Sequence, residues 1–156
     1  MLNPFELMNI ELIMSNSQIR SLVTGSCRCG AIKYSSTHLA LELTNCHCVT
    51  CRKLSGGPYL TFGAFPVSSL TFNSKPTALK TAEYSDIATR THCGECGSPI
   101  SMQYKRQPER IWLTAGTFDE VRGEMEKVEQ HIFLREKAPW FEVPEDGIPR
   151  FEGFPK

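Results

Sequence analysis

Seven cysteines gathered in three short groups constrain this chain more than any other feature. Cys27-Arg28-Cys29 forms a CxC, Cys46-His47-Cys48-Val49-Thr50-Cys51 a CxCxxC, and Cys93-Gly94-Glu95-Cys96 a CxxC. No cysteine lies outside a group. Thiolates this close in sequence favour a soft, tetrahedral metal, with zinc as the default. Disulfides fit badly, because the count is odd and near neighbours pair only with special backbone geometry. A redox reading of Cys93 and Cys96 lacks the βαβ context in which such pairs occur.

Two pairs and a triplet suggest a division of labour. Four thiolates close a structural site, whereas three leave one coordination position open, as catalytic zinc requires. Cys27, Cys29, Cys93 and Cys96 can supply the closed site. Glycines flank them (Gly30, Gly94, Gly97), letting the backbone turn tightly around an ion. Such a site would staple segments 64 positions apart, from Cys29 to Cys93. Cys46, Cys48 and Cys51 would then hold a second zinc. The pattern leaves three alternatives open: one zinc on any four cysteines, two structural zincs with His47 completing the triplet, and an iron–sulfur cluster. His47 lies between two ligands of an extended segment. Its side chain is therefore expected to point away from them, in a supporting or packing role.

Composition excludes several classes. The 156 residues suit one domain, large enough to fold without disulfides. Lys and Arg number 17, as do Asp and Glu, which argues against a general nucleic-acid binder. With 40% hydrophobic residues the chain is too apolar for disorder, and no run reaches the length of a membrane span. Glu6 and Glu11 precede the first basic residue, Arg20, so the start resembles neither a secretory signal nor a transit peptide. A cytoplasmic protein is expected, with a nuclear one also possible, and there thiols stay reduced. Residues 1–17 read as a loose extension and 18–156 as the domain.

Short alternating runs dominate, and long helical periods are absent. Strands are expected at 31–35, 39–44, 59–65, 69–73, 79–84, 87–92, 100–104, 110–114 and 131–135. A helical turn is expected after Cys48. Turn residues punctuate these runs, as at Gly56-Gly57-Pro58 and Gly97-Ser98-Pro99. The pattern predicts a mainly β, sandwich-like or barrel-like single domain. From Pro139 onward four prolines forbid regular structure, while Trp140, Phe141, Phe151 and Phe154 imply packing on the body.

The segment Gly25-Ser26-Cys27-Arg28-Cys29-Gly30, with Ile32 and Tyr34, resembles the opening of the glutathione-dependent formaldehyde-activating enzyme family, also called the CENP-V/GFA family. Asn45 to Lys53 followed by Ser55-Gly56 is similar to its second motif, and His92 to Ile100 to its third. Gly116-Thr117-Phe118-Asp119, His131-Ile132 and Lys137-Ala138-Pro139-Trp140-Phe141 resemble its C-terminal half. The likeness covers about residues 22–154, and all seven cysteines fall at family positions. It implies an Mss4-like, zinc-stapled fold. It implies two zinc ions per chain, a structural one on Cys27, Cys29, Cys93 and Cys96 and a catalytic one on Cys46, Cys48 and Cys51. It further implies carbon–sulfur lyase chemistry on a thiol such as glutathione and an aldehyde such as formaldehyde. The competing readings are a non-catalytic zinc module that binds a partner and a biosynthetic enzyme acting on an imine, thioether or aldehyde.

Candidate substrate residues follow from position and chemistry. Arg52 and Lys53 come directly after the triplet and could offset its charge or hold a carboxylate. Ser55 and Tyr59 offer hydroxyls, and His131 a pocket acid or base, although each also fits a turn or strand role. Trp140 and Phe141 read as core-capping residues. Loaded with two zincs on seven thiolates, the formally neutral chain would carry a net charge of about −3.

Overall fold

The computed structural model describes residues 21–155. The expected extension at residues 1–17 lies outside them. Two sheets make the body, as the alternating runs predict. Strands β1 (Val23–Ser26), β2 (Ile32–Ser36), β5 (Leu70–Ser74) and β10 (Phe118–Val121) form an antiparallel sheet in the order β10-β1-β2-β5. A second, seven-stranded sheet runs β11-β3-β4-β9-β8-β7-β6. Its members are β3 (Leu43–Cys46), β4 (Leu60–Pro66), β6 (Leu79–Ser85), β7 (Ala88–Cys93), β8 (Pro99–Tyr104), β9 (Arg110–Thr114) and β11 (Gln130–Ile132). Its pairings are antiparallel apart from β11 on β3. One helix, α1 (Val49–Ser55), follows Cys48, where the helical turn was expected. It stops at Gly56, whose φ of 68° suits a residue without a side chain.

Alternation along the strands gives the large sheet two different faces. One face packs on the small sheet. There Val23, Ile32 and Tyr34 meet Phe65 and Leu113, all buried. Burying each of the large apolar side chains contributes about 1.5–3 kcal/mol. Close approach is part of this packing. A Cβ at Gly25 would lie 2.2 Å from the Tyr34 ring, whose hydroxyl hydrogen-bonds with Thr117 Oγ1 at 2.6 Å. The opposite face carries Cys46, Phe62, Met102, Trp112 and Ile132 and builds the site described below.

Three departures from the expected strands have physical causes. The expected run 39–44 becomes a strand only from Leu43. Before it, Ala64 accepts from Leu41 N at 2.8 Å and donates to Glu42 O at 3.1 Å, so two residues face one in a bulge. The expected strand 131–135 ends at Ile132, because Phe133 takes φ 60° and opens a 3-10 turn at Leu134–Glu136. Strands β1 and β10 have weak local signals (Gly25 and Ser26 in one, Asp119 and Glu120 in the other). They pair with each other through Val23↔Val121 and Thr24↔Glu120, a pairing made only in the folded chain. The proline-rich tail packs on the body. His131 N donates to Pro149 O, and Phe151 N to His131 O, at 2.9 and 2.8 Å.

Candidate metal centres and the cavity beside them

The cysteines converge in two clusters. The sulfurs of Cys27, Cys29, Cys93 and Cys96 lie within 4.8 Å of one another, and so do those of Cys46, Cys48 and Cys51. The four-thiol set joins the two sheets. Cys27 and Cys29 occupy the turn between β1 and β2 of the small sheet, while Cys93 and Cys96 occupy the turn between β7 and β8 of the large one. Both turns close on a left-handed glycine. Gly30 N donates to Cys27 O at 3.0 Å and Gly97 N to Cys93 O at 2.8 Å, with φ of 77° and 76°. Arg28 N donates to Ser98 Oγ at 3.1 Å and ties one turn to the other. The Cys27–Cys29 and Cys29–Cys93 sulfurs are 3.5 and 3.8 Å apart. A tetrahedron with metal–sulfur arms of ~2.3 Å has edges of about 3.8 Å, so the set already has the dimensions that a thiophilic ion requires.

The three-thiol set forms at the end of β3 and the start of α1. Cys48 caps the helix, its sulfur accepting from Cys51 N at 3.4 Å. Without a cation, three thiols this close, two of them buried, cannot ionise together. Hydrogen bonds from Cys46 and then Cys51 hold the Cys48 thiol far below its usual range. Those to Cys48 and Cys51, with burial, push Cys46 far up. Arg90 of β7 brings Nη2 to 3.7 Å from Cys51 Sγ, with its guanidinium over the Phe62 ring at 5.9 Å. A basic group thus partly offsets the charge of the triplet. No histidine joins this set among the described residues.

His47 turns the other way. Alternation sends Cys46 and Ile132, paired in register, to one face and His131 to the other. There His47 Nε2 meets His131 Nδ1 at 2.9 Å, and His131 Nε2 meets Asp146 Oδ2 at 3.1 Å. An ionised Asp146 accepts from His131 Nε2–H. With Nε2–H given to Asp146, His131 accepts at Nδ1 from His47 Nε2–H. Burial first, and the neighbouring His131 second, push His47 down to about 4, so it is neutral at pH 7. The chain of three anchors the backbone between Cys46 and Cys48 to the C-terminal tail. His131→Leu is expected to lower stability by about 2 kcal/mol, since it strands a buried N–H donor. Urea denaturation of the metal-loaded protein checks this, with Asp146→Asn, which keeps an acceptor, as the milder control.

A cavity of about 540 Å³ opens against Cys46 on the outer face of the large sheet. Alternate residues of five strands make its floor, among them Cys46, Phe62, Met102, Tyr104, Trp112 and Ile132. Tail residue Phe154 closes one side, set edge-to-face with Tyr104 and Phe133, ring centroids 5.7 and 4.8 Å away. Burial first, and then the neighbouring cysteine triplet, push the Tyr104 hydroxyl upward, so it is a protonated donor at neutral pH.

A family model described as the glutathione-dependent formaldehyde-activating enzyme matches residues 22–136. The chain belongs to that family. A Halomonas elongata protein, provisionally named as a glutathione-dependent formaldehyde-activating enzyme, is 27% identical over 86% of this chain and 89% of its own length. An uncharacterized lyase of Schizosaccharomyces pombe is 26% identical over 60% of this chain and 66% of its own length. A crystal structure of a Rhodobacter sphaeroides protein shares the fold, with a TM-score of 0.54 and 21% identity, covering 65% of this chain and 96% of that one.

In this family member the sequence-derived substrate candidates stand apart from the cavity. Arg52 is half-buried on α1, with its Nε unpartnered among the described residues. Lys53 is exposed on the same helix. Ser55 Oγ donates to Arg52 O and accepts from Gly57 N, a turn role. Tyr59 stacks on His47 at 5.0 Å, and His131 belongs to the buried histidine chain. None of the five lines the cavity. Sequence reasoning missed Arg90, Tyr104, Trp112 and Asp146. Only the period-2 placement of Tyr104 and Trp112 on neighbouring strands hinted at a shared face. No helix among the described residues is long and apolar enough to cross a membrane.

Proposed function

We propose that this chain is a zinc-dependent carbon–sulfur lyase that makes or breaks adducts of a thiol with an aldehyde. Cys27, Cys29, Cys93 and Cys96 hold a structural zinc, and Cys46, Cys48 and Cys51 a catalytic one. The observation that carries this reading is an incomplete, three-thiol set at the wall of a cavity, in a fold already closed elsewhere by a complete four-thiol set. A purely structural centre has no use for a missing ligand beside an open cavity. The family membership and the names of the two relatives point to the same chemistry.

Bound to the triplet, zinc supplies an open position that lowers the pKa of a substrate thiol. The protein's own groups do the rest. Arg90 partly balances the anionic thiolates, the apolar walls exclude water, and Tyr104 offers a protonated hydroxyl to the adduct oxygen. In the cleavage direction the adduct R–S–CH2–OH loses its hydroxyl proton as the C=O bond forms. The C–S bond breaks with its electrons going to sulfur, and sulfur ends as R–SH. No other reactant is needed. Proton exchange spectroscopy on an equilibrated thiol and formaldehyde mixture tests this. Exchange through the adduct is expected to rise by more than about 100-fold with the zinc-loaded protein. No acceleration with any thiol at matched protein concentration would remove the lyase reading.

A further inference from the structure

Glutathione carries two carboxylates and an ammonium at neutral pH, and the cavity beside Cys46 is poorly built to receive them. Its floor is Phe62, Met102, Tyr104, Trp112 and Ile132, and exposed Ile87 and Phe154 continue the apolar wall to the mouth. The polar groups deep in it are mostly engaged already. Trp112 Nε1 donates to Glu42 Oε1 at 3.3 Å and Gln130 Nε2 to Thr44 Oγ1 at 2.9 Å. The one carboxylate in the wall, Glu42, repels an anion and is itself occupied by the indole. Burying a charged peptide on such a surface leaves its charges without partners, which is costly. The charge that is free sits at the mouth. Arg106 and Arg110 are exposed there and form no ion pair among the described residues.

Resting on the lyase reading above, we propose that the thiol partner of this enzyme is an apolar, aryl-sized thiol ending in a single acid group, and not glutathione. The ring lies over the Trp112 and Phe62 floor, the sulfur reaches the triplet, and the carboxylate stays at the mouth with Arg106 and Arg110. A volume of about 540 Å³ falls within the range of sites that enclose a small organic ligand. Stacking on Trp112 and Tyr104 selects a flat ring over a branched peptide.

Occupancy can be read without turnover. Of the two tryptophans, Trp112 lines the cavity and Trp140 is 68% exposed, so Trp140→Phe leaves a single reporter. The zinc-loaded Trp140→Phe protein is titrated with 4-(mercaptomethyl)benzoate, benzyl mercaptan and glutathione, following Trp112 emission. The benzoate is expected to bind at least about tenfold more tightly than glutathione, with benzyl mercaptan between them. Arg106→Gln with Arg110→Gln is expected to erase the gap between the benzoate and benzyl mercaptan. Ile87→Glu, at an exposed position that does not threaten the fold, is expected to weaken both aryl thiols and spare glutathione. Glutathione binding as tightly as the benzoate, or aryl-thiol binding unmoved by Ile87→Glu, would overturn the proposal. If the aryl thiols bind as expected but adduct exchange with formaldehyde is not accelerated for any thiol, the cavity assignment stands and the lyase reading alone fails.

Discussion

Cys93→Ser is expected to destabilise the domain more than any other single change at its thiols. Cys93 is fully buried where β7 ends, and its sulfur lies 3.8 Å from that of Cys29 on the other sheet. The four-thiol set therefore joins two sheets whose sequences are far apart. A structural zinc contributes on the order of 10 kcal/mol to a small domain, and a whole domain is stable by only about 5–15 kcal/mol. Losing one of four ligands removes much of that contribution. A loss of about 5 kcal/mol would lower the melting temperature by about 15 °C for a chain of this size. Differential scanning calorimetry with metal analysis on the same samples checks it. A Cys93→Ser protein that keeps its metal content and melts within about 2 °C of the parent would show that the four-thiol set holds no structural ion.

Cys48→Ser is expected to behave in the opposite way, leaving the fold and removing the activity. Cys48 is the cap of α1, its sulfur accepting from Cys51 N, and serine is a better helix cap than cysteine. The helix start therefore survives the exchange. The metal set does not, because a neutral hydroxyl replaces the thiolate held lowest of the three. Changing residues that merely orient metal ligands costs about 10–100-fold in activity, so losing a ligand itself should exceed 100-fold. The expected protein binds one zinc fewer per chain, melts within about 3 °C of the parent, and no longer accelerates adduct exchange. Metal analysis, calorimetry and exchange spectroscopy on one preparation separate the outcomes. If Cys48→Ser lowers the melting temperature as far as Cys93→Ser does, the triplet is a second structural site and the lyase proposal falls.

The two substitutions exchange the same pair of atoms at two ends of one fold, so the difference expected between them is a matter of place. The four thiols come from turns of two sheets and enclose what they bind. The three come from one strand end and one helix start, and Cys46 looks onto a cavity.

Much of this was legible in the sequence, for local reasons. Cysteines two or three positions apart on turns must lie near one another whatever the fold does, so their grouping is written in the spacing. The helix after Cys48 follows from the same spacing and from Gly56 as its stop. Most strands announced themselves by alternation between turn residues. Glycines 30 and 97 were expected to turn the chain around a metal, and both take a left-handed φ.

What only the tertiary structure decided has the opposite character. The cavity is assembled from alternate residues of β3, β4, β8, β9 and β11, with Phe154 from the tail, and of these only β8 and β9 are brought together locally, by a short turn. Arg52 and Lys53 looked like the cations of the site because they follow Cys51 in sequence. The cation that reaches Cys51 is Arg90, 39 positions away, brought there from β7 by the pairing of the large sheet. His47 and His131 are 84 positions apart and meet because β11 pairs in parallel with β3. Strand pairing over such distances depends on which sheet edge each strand finds and on which face each residue is then turned to. Both are set by the packing of the whole chain, so the sequence by itself determined which atoms could bind a metal, and the tertiary structure decided what stands around it.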